Sequence, residues 1–273
     1  MLVKQLLDYE EGLTVLKWVK YTMVLVIFLS MFIVAADSFA GLDDESLVLY
    51  LSFDEGNGNK AKDSSIYKHD GELVANPSWV DGQFDSQALE FDGSKSQYVK
   101  IPINDTLQLR EKFSIAFWVK RGPVQAANWN YMVSAGSLVW ATIFNSGDQK
   151  TYFWSKAPGW TRKGITDENQ PQDWVHIAVT HDIGTDVSIY YDGKKVGGGP
   201  KPPAIIQIDG SVMVGARHPG LEFFTGIIDE VYLFNRILSV DEISMVKDGA
   251  FLSVEPADKL ATRWGFIKAE HKK

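Results

Sequence analysis

From Ser46 onward the chain is written as short β-runs separated by Gly, Asn, Asp and Pro, and this spacing constrains the fold more than any other feature. Ile115, Phe117 and Val119 alternate with Ser114, Ala116 and Trp118, and Val175, Ile177 and Val179 alternate with His176, Ala178 and Thr180. A period of two sends successive side chains to opposite faces of a strand, so both segments are expected as half-buried strands. Val187 to Tyr191 runs into Asp192-Gly193, a pair that favours a tight hairpin turn, and Lys194–Val196 returns from it. Gly197 to Pro203 reads as a loop, with short strands following at Ile205–Ile208 and Val212–Val214. One helix stands out: Ser239 with Glu242 three residues on forms a capping box, and Gly249 ends it. No repeat and no long linker divides the chain. The reading is an all-β fold, a two-sheet antiparallel β-sandwich with one short C-terminal helix.

Composition adds exclusions. The chain has no cysteine, so no disulfide, thiolate metal site or thiol nucleophile is available to it. Its net charge of −8 offers no basic excess to neutralise phosphates, which excludes nucleic acid as an expected partner. Lys17 and Lys20 precede an apolar run from Met23 to Ala36, and Ser38-Phe39-Ala40 supplies a small-x-small site before Gly41. That run is shorter than the roughly 20 residues of a membrane span. Residues 1–40 therefore read as a secretory signal or, uncleaved, as an N-terminal anchor, the only contact with a membrane that the sequence suggests. The product is expected to be secreted or at the cell surface, with residues 41–250 as one domain and 251–273 as a tail.

Several strings follow one another in a recognisable order: Leu49-Tyr50-Leu51-Ser52-Phe53-Asp54-Glu55-Gly56, Asp63-Ser64-Ser65, Trp79-Val80-Asp81-Gly82-Gln83-Phe84 and Ala88-Leu89-Glu90-Phe91-Asp92-Gly93. Phe113-Ser114-Ile115-Ala116-Phe117-Trp118, Asp173-Trp174-Val175-His176, Ile189-Tyr190-Tyr191-Asp192-Gly193 and Gly226-Ile227-Ile228-Asp229-Glu230-Val231 complete them. Over residues 47–247 the chain resembles the laminin-G-like jelly-roll family of the concanavalin A-like lectin and glucanase superfamily. The resemblance implies a jelly roll and, in many members, one structural Ca²⁺. Asp54, Asp63 and Asp229 occupy the matching places, with Ser65 and Asp70 beside them. Calcium takes six to eight oxygens, which such a loop can offer; the competing reading makes Asp54 and Asp63 turn residues that bond their own backbone.

The same superfamily hosts binders and hydrolases, so function must be read from sites. Trp129, Tyr131, Trp154 and Trp160 lie in a stretch rich in aromatics; Asn128 and Asn130 flank Trp129, and Ala157-Pro158-Gly159 precedes Trp160. Polar and loop surroundings mark them as anchors for a sugar ring, against the alternative that tryptophans fill the core. Superfamily glucanases carry Glu-x-Asp-x-x-Glu on one strand; here Glu90-Phe91-Asp92 is followed by Lys95, so no carboxylate set for glycoside hydrolysis is complete. His176 and His181 sit on a strand without a nucleophile motif, and His69 and His218 in loops. Asn104-Asp105-Thr106 fits a glycosylation acceptor, and Phe251–Val254 is expected as an edge strand. The leading reading is a non-catalytic recognition module for a glycan or cell-surface polymer, with structural calcium. The alternatives are an adhesion domain that contacts other surface proteins and, third, a hydrolase or lyase.

Overall fold

The computed structural model describes residues 41–252 apart from 138, 158, 203, 204, 218 and 219, and for 157, 159–163 and 252 the backbone only. The signal or anchor over 1–40, His218, and the tail from 253 lie outside the described residues. In chain order the strands are β1 (Leu47–Leu51), β2 (Lys60–Ala61), β3 (Gly71–Val74), β4 (Ser78–Asp81), β5 (Gln87–Phe91), β6 (Tyr98–Pro102), β7 (Lys112–Arg121) and β8 (Trp129–Ala135). They continue as β9 (Trp140–Asn145), β10 (Lys150–Ala157), β11 (Gly159–Thr166), β12 (Val175–Asp182), β13 (Val187–Tyr191), β14 (Lys194–Gly199), β15 (Ser211–Val214) and β16 (Gly226–Phe234). One helix, α1 (Val240–Lys247), follows.

Hydrogen bonding runs through β2-β3-β6-β15-β8-β9-β10-β11, and on through β14-β13-β12-β7-β16-β5-β4, with β1 also paired to β16. The path turns over at the short β11–β14 pairing, Ile165 with Gly198 and Thr166 with Gly197, and closes into two layers. The first sheet holds β1, β4, β5, β16, β7, β12, β13 and β14; the second holds β2, β3, β6, β15, β8, β9, β10 and β11. Their inner faces share one core: Phe113 on β7 lies 5.6 Å from Trp140 on β9 and 6.2 Å from Phe153 on β10. Taking each such ring out of water contributes about 1.5–3 kcal/mol. The Tyr191 hydroxyl on β13 ties the layers again by donating to Thr151 Oγ on β10 at 2.6 Å. The expected β-sandwich with one C-terminal helix is the observed fold.

Four local readings are corrected. β7 and β12 are buried on both faces over Ser114–Val119 and Val175–His181, because α1 covers their outer side. Ala116 and Ala178, which alternation placed on a solvent face, pack instead with Tyr232, Phe234, Leu238, Ile243 and Val246. Gly197 and Gly198 belong to β14 rather than a loop. A Cβ on Gly198 (φ +153°) would stand 2.1 Å from the Val187 carbonyl oxygen, so the close strand approach requires glycine. Ile205–Ile208 is not a strand: Arg110 Nε donates to the Ile205 carbonyl at 2.9 Å, while the Gln108 amide donates to the Ile208 carbonyl and accepts its N–H. Two side chains replace a ladder there, and Ile205 and Ile208 are buried. Phe251 lies in a 3-10 turn (Ala250–Leu252) and meets Phe234 edge-on at 5.2 Å, instead of opening an edge strand. The helix matches its capping signal in full, with Ser239 and Glu242 bonding reciprocally.

Candidate functional site

β8, β9 and β10 turn one set of side chains into the core and the other away from it. Trp140, Phe144 and Phe153 belong to the core, whereas Tyr131, Ala141, Ile143 and Tyr152 form a separate cluster against which Trp129 and Trp154 pack. Register assembles this cluster: Tyr131 is opposite Ile143, Ile143 opposite Tyr152, and Ala141 opposite Trp154. The Trp129 ring lies 4.7 Å from Trp154 and meets Tyr152 edge-on at 5.2 Å. Both tryptophans are half-buried, while Tyr131 and Tyr152 are buried beneath. Tyr131 is covered by the segment leading into β16: its N–H donates to the Glu222 carbonyl at 3.3 Å, and the Arg217 guanidinium carbon stands 5.9 Å from its ring centroid. Arg217 pairs with Glu222 at 2.5 Å. Burial, then the Glu222 charge, push the Tyr131 phenol upward against Arg217, so the hydroxyl remains a neutral donor. The Tyr152 hydroxyl donates to Asp148 Oδ2 at 2.5 Å. The buried indole N–H of Trp154 has no hydrogen-bond partner among the described residues.

Three of the four expected anchors, Trp129, Tyr131 and Trp154, therefore meet on one face, Tyr131 as a floor. Trp160 lies on β11 in register with Lys156, and its side chain is outside the described residues. Tyr152 belongs to the cluster although the sequence did not single it out; the signal was its i, i+2 relation to Trp154. Two half-buried indole rings inclined at 54° to one another, with charged groups at the rim, can take the apolar C–H face of a sugar ring and hydrogen-bond its hydroxyls.

The five residues matched to a calcium site fall into two networks. Asp63 Oδ1 accepts the N–H groups of Tyr50 and Ser65, both at 2.9 Å, and Oδ2 accepts the Ser65 hydroxyl at 2.8 Å and the His69 N–H at 2.6 Å. Four donors fill the lone-pair positions of one carboxylate. Asp70 accepts the Asp63 N–H at 3.1 Å. The Asp63 carboxylate is thus filled by the turn it locks, and Ser65 and Asp70 are bonded to that same turn. Asp54 and Asp229 remain. Asp54 accepts the Gln87 N–H at 3.2 Å; Asp229 is buried and accepts the N–H groups of Gln83 at 2.8 Å and Glu230 at 2.9 Å. Burial pushes the Asp229 carboxyl up to about 8 against the Gln83 bond, with the Glu230 and Asp54 charges adding to the rise. Glu230, unforeseen from sequence, sits at a β-bulge with φ +53°. Its Oε2 accepts the hydroxyls of Tyr50 at 2.8 Å and Tyr232 at 2.6 Å, whose rings stack at 4.4 Å. Among the described residues no three His, Asp or Glu side chains gather as a metal-holding group.

Asp92 caps the turn Gly93–Lys95 and pairs with Lys95 at 3.1 Å, while Glu90 faces outward. His69 bonds Asn104 and Thr106. His181 stacks on Phe113 at 4.7 Å. His176 lies 5.4 Å from Trp118 with both ring nitrogens unpartnered, and burial, then Lys247, carry it down to about 3 against Asp248.

Residues 92–244 match a family model, Laminin_G_3, of the concanavalin A-like lectin/glucanases superfamily. Domain 4 of AbnA, a GH43 extracellular arabinanase from Geobacillus stearothermophilus, in complex with arabinotriose, is similar with a TM-score of 0.59 at 21% identity, over 74% of this chain and 98% of that one. The binding domain of Paraclostridial Mosquitocidal Protein 1 gives 0.59 at 18% over 75% of this chain and 52% of its own. The binding domain of botulinum neurotoxin DC in complex with SialylT gives 0.59 at 15%, over 76% and 51%. The chain thus spans about half the length of the toxin domains, and at these identities the likeness is one of fold. No curated protein matches the chain.

Proposed function

The chain belongs to the concanavalin A-like lectin and glucanase superfamily, and from that premise we propose that it is a non-catalytic recognition module of the cell exterior that binds carbohydrate on the outer face of its second sheet. The observation that carries this reading is the pair Trp129 and Trp154, half-buried and 4.7 Å apart on a face turned away from the core. Arabinotriose bound to domain 4 of AbnA and SialylT bound to a toxin binding domain support a sugar as the ligand class. The absence of a paired carboxylate set around Glu90 supports binding without hydrolysis. The N-terminal signal pattern supports export, with Gly41 as the first residue of the mature protein.

Calcium enters the proposal through Asp54 and Asp229 alone. Burial, and after it the repulsion among Asp54, Asp229 and Glu230, raises the two buried carboxyls, and a divalent cation there would offset both.

A second reading, docking of a surface protein, is favoured by Ile165, exposed on β11 in register with Tyr152, and by exposed Leu221 beside the Tyr131 cover. Both extend the aromatic surface with apolar area. The neurotoxin DC binding domain in complex with rat synaptotagmin II gives this reading a parallel. A glycan array probed with the wild type, Trp129→Ala and Trp154→Ala separates the two. Sugar retention lost in both variants while each still unfolds cooperatively, with only a small drop in melting temperature, supports the carbohydrate reading. No sugar retained by the wild type sinks it.

A further inference from the structure

A second feature of the molecule lies away from the tryptophans, at the edge of the first sheet. Register sets Ser78 on β4 opposite Glu90 on β5, Glu90 opposite Ile227 on β16, and Ile227 opposite Lys120 on β7. Two hollows of about 460 and 470 Å³ lie along this row and share Glu90 and Pro123 as lining. Each is within the roughly 300–1,000 Å³ of small-molecule sites. At one end Lys95 pairs with Asp92 at 3.1 Å, and at the other Lys120 pairs with Asp173 at 3.1 Å. The Glu90 carboxylate, between them, makes no ion pair or hydrogen bond among the described residues.

The walls are fixed before any ligand arrives. The Gln125 amide donates to the carbonyls of Gly122 at 3.1 Å and Thr225 at 2.7 Å and accepts the Thr225 N–H at 3.1 Å. The Gln97 amide donates to the carbonyls of Ala75 and Asn76 and accepts the Asp92 N–H at 2.7 Å. Walls held in this way need little ordering on binding.

The charges choose the ligand. Three anions, Glu90, Asp92 and Asp173, face three cations, Lys95, Lys120 and Arg121, so the lining carries no net charge. An anionic ligand would meet the free Glu90 carboxylate, and a cationic one would meet two ammonium groups. A hydroxyl donates to Glu90 and accepts the unused N–H bonds of Lys95 and Lys120, because it is both donor and acceptor. We infer that the trough along Glu90 is a second binding site, for an uncharged, hydroxyl-rich ligand such as a short run of neutral saccharide units. It uses none of the residues of the tryptophan face and stands or falls separately from it.

The test is an NMR titration of the ¹⁵N-labelled full chain with neutral trisaccharides (arabinotriose, maltotriose, cellotriose and N-acetylated chitotriose), a galacturonate trimer and a glucosamine trimer. At least one neutral trisaccharide is expected to move the amides of Gly122, Asp173 and Gly226. Glu90→Ala should weaken that effect at least about tenfold, the loss of a hydrogen bond to a charged group, while Trp129→Ala leaves it. Glu90 is exposed and unpaired, so Glu90→Ala should melt with the wild type. The inference is overturned if no neutral trisaccharide moves these amides, if Glu90→Ala responds like the wild type, or if a charged trimer binds there more tightly.

Discussion

The two sheets carry opposite kinds of outer face. On the first, Leu47, Tyr50, Ala116, Ala178, Tyr232 and Phe234 are closed over by Leu238, Ile243, Val246 and Phe251 from the helix and its flanks. On the second, Trp129 and Trp154 pack on Tyr131, Ile143 and Tyr152 and stay half-buried, with Arg217 and Glu222 covering Tyr131 at one end and no helix over the cluster among the described residues. Both arise from the same strand alternation. Small residues, Ala116 and Ala178, mark where another element lies on the sheet, because a helix needs room to approach. Large aromatics mark where the side chains themselves are the cover. The difference separates a face built for stability from one available to a ligand.

Phe234→Ala should give the largest effect. Phe234 is fully buried, stacks on Tyr232 at 6.2 Å and meets Phe251 edge-on. Its truncation opens a cavity between sheet and helix, and urea unfolding should show a loss of about 3–5 kcal/mol. Trp129→Ala on the other face should lose much less and abolish sugar retention. Equal losses from the two would break the comparison and return Trp129 to the core.

This contrast was only half legible in the sequence. The sandwich was readable because hydrophobic alternation and turn residues depend on nearest neighbours along the chain, as in Val187–Tyr191 with Asp192-Gly193. Ser239 with Glu242 was readable for the same reason. Coverage was not. Ala116 looks the same before solvent as before a helix more than a hundred positions later. The Asp63 turn and the Asp229 site carry the same residue type, and only their partners, four donors against two, tell them apart. Trp129 and Trp154 carried a signal in their polar surroundings, but their meeting depends on the register of β8 on β9 and of β9 on β10.

Acid should open the helix-covered face before the tryptophan face, with the next largest effect. His176 is buried between Trp118 on β7 and the Lys247–Asp248 end of the helix, and the Trp118 indole N–H donates to the Lys247 carbonyl at 3.2 Å. Its folded value, about 3, lies below the ordinary 6.5, so the fold holds the neutral imidazole. The stability that depends on it is complete above 6.5 and is lost as pH falls from there toward 3, in all a few kcal/mol. His176→Leu should shift the acid midpoint downward. An unchanged midpoint would move the acid response to other groups. Asp229 has the opposite sign: raised from 3.8 to about 8, it favours folding below 3.8 and loses that contribution as pH rises to 8. Calcium at Asp54 and Asp229 should therefore raise the melting temperature more at pH 8 than at pH 5. A melting curve insensitive to calcium and chelator at both pH values removes the ion from the proposal.

The smallest effect should come from the helix start. Ser239 Oγ accepts the Glu242 N–H at 3.3 Å, and the Glu242 carboxylate accepts the Ser239 N–H at 2.8 Å while pairing with Arg236 at 2.6 Å. Ser239→Ala removes one half of this box and should cost about 1 kcal/mol. That loss is local to the cover of the first sheet, so hydrogen exchange should quicken over Val240–Lys247 and at the Trp118 indole, and remain unchanged in β8–β10. Exchange that quickens equally in β8–β10 would mean that the two outer faces are coupled through the shared core. The helix would then act on the tryptophan face as well as on its own.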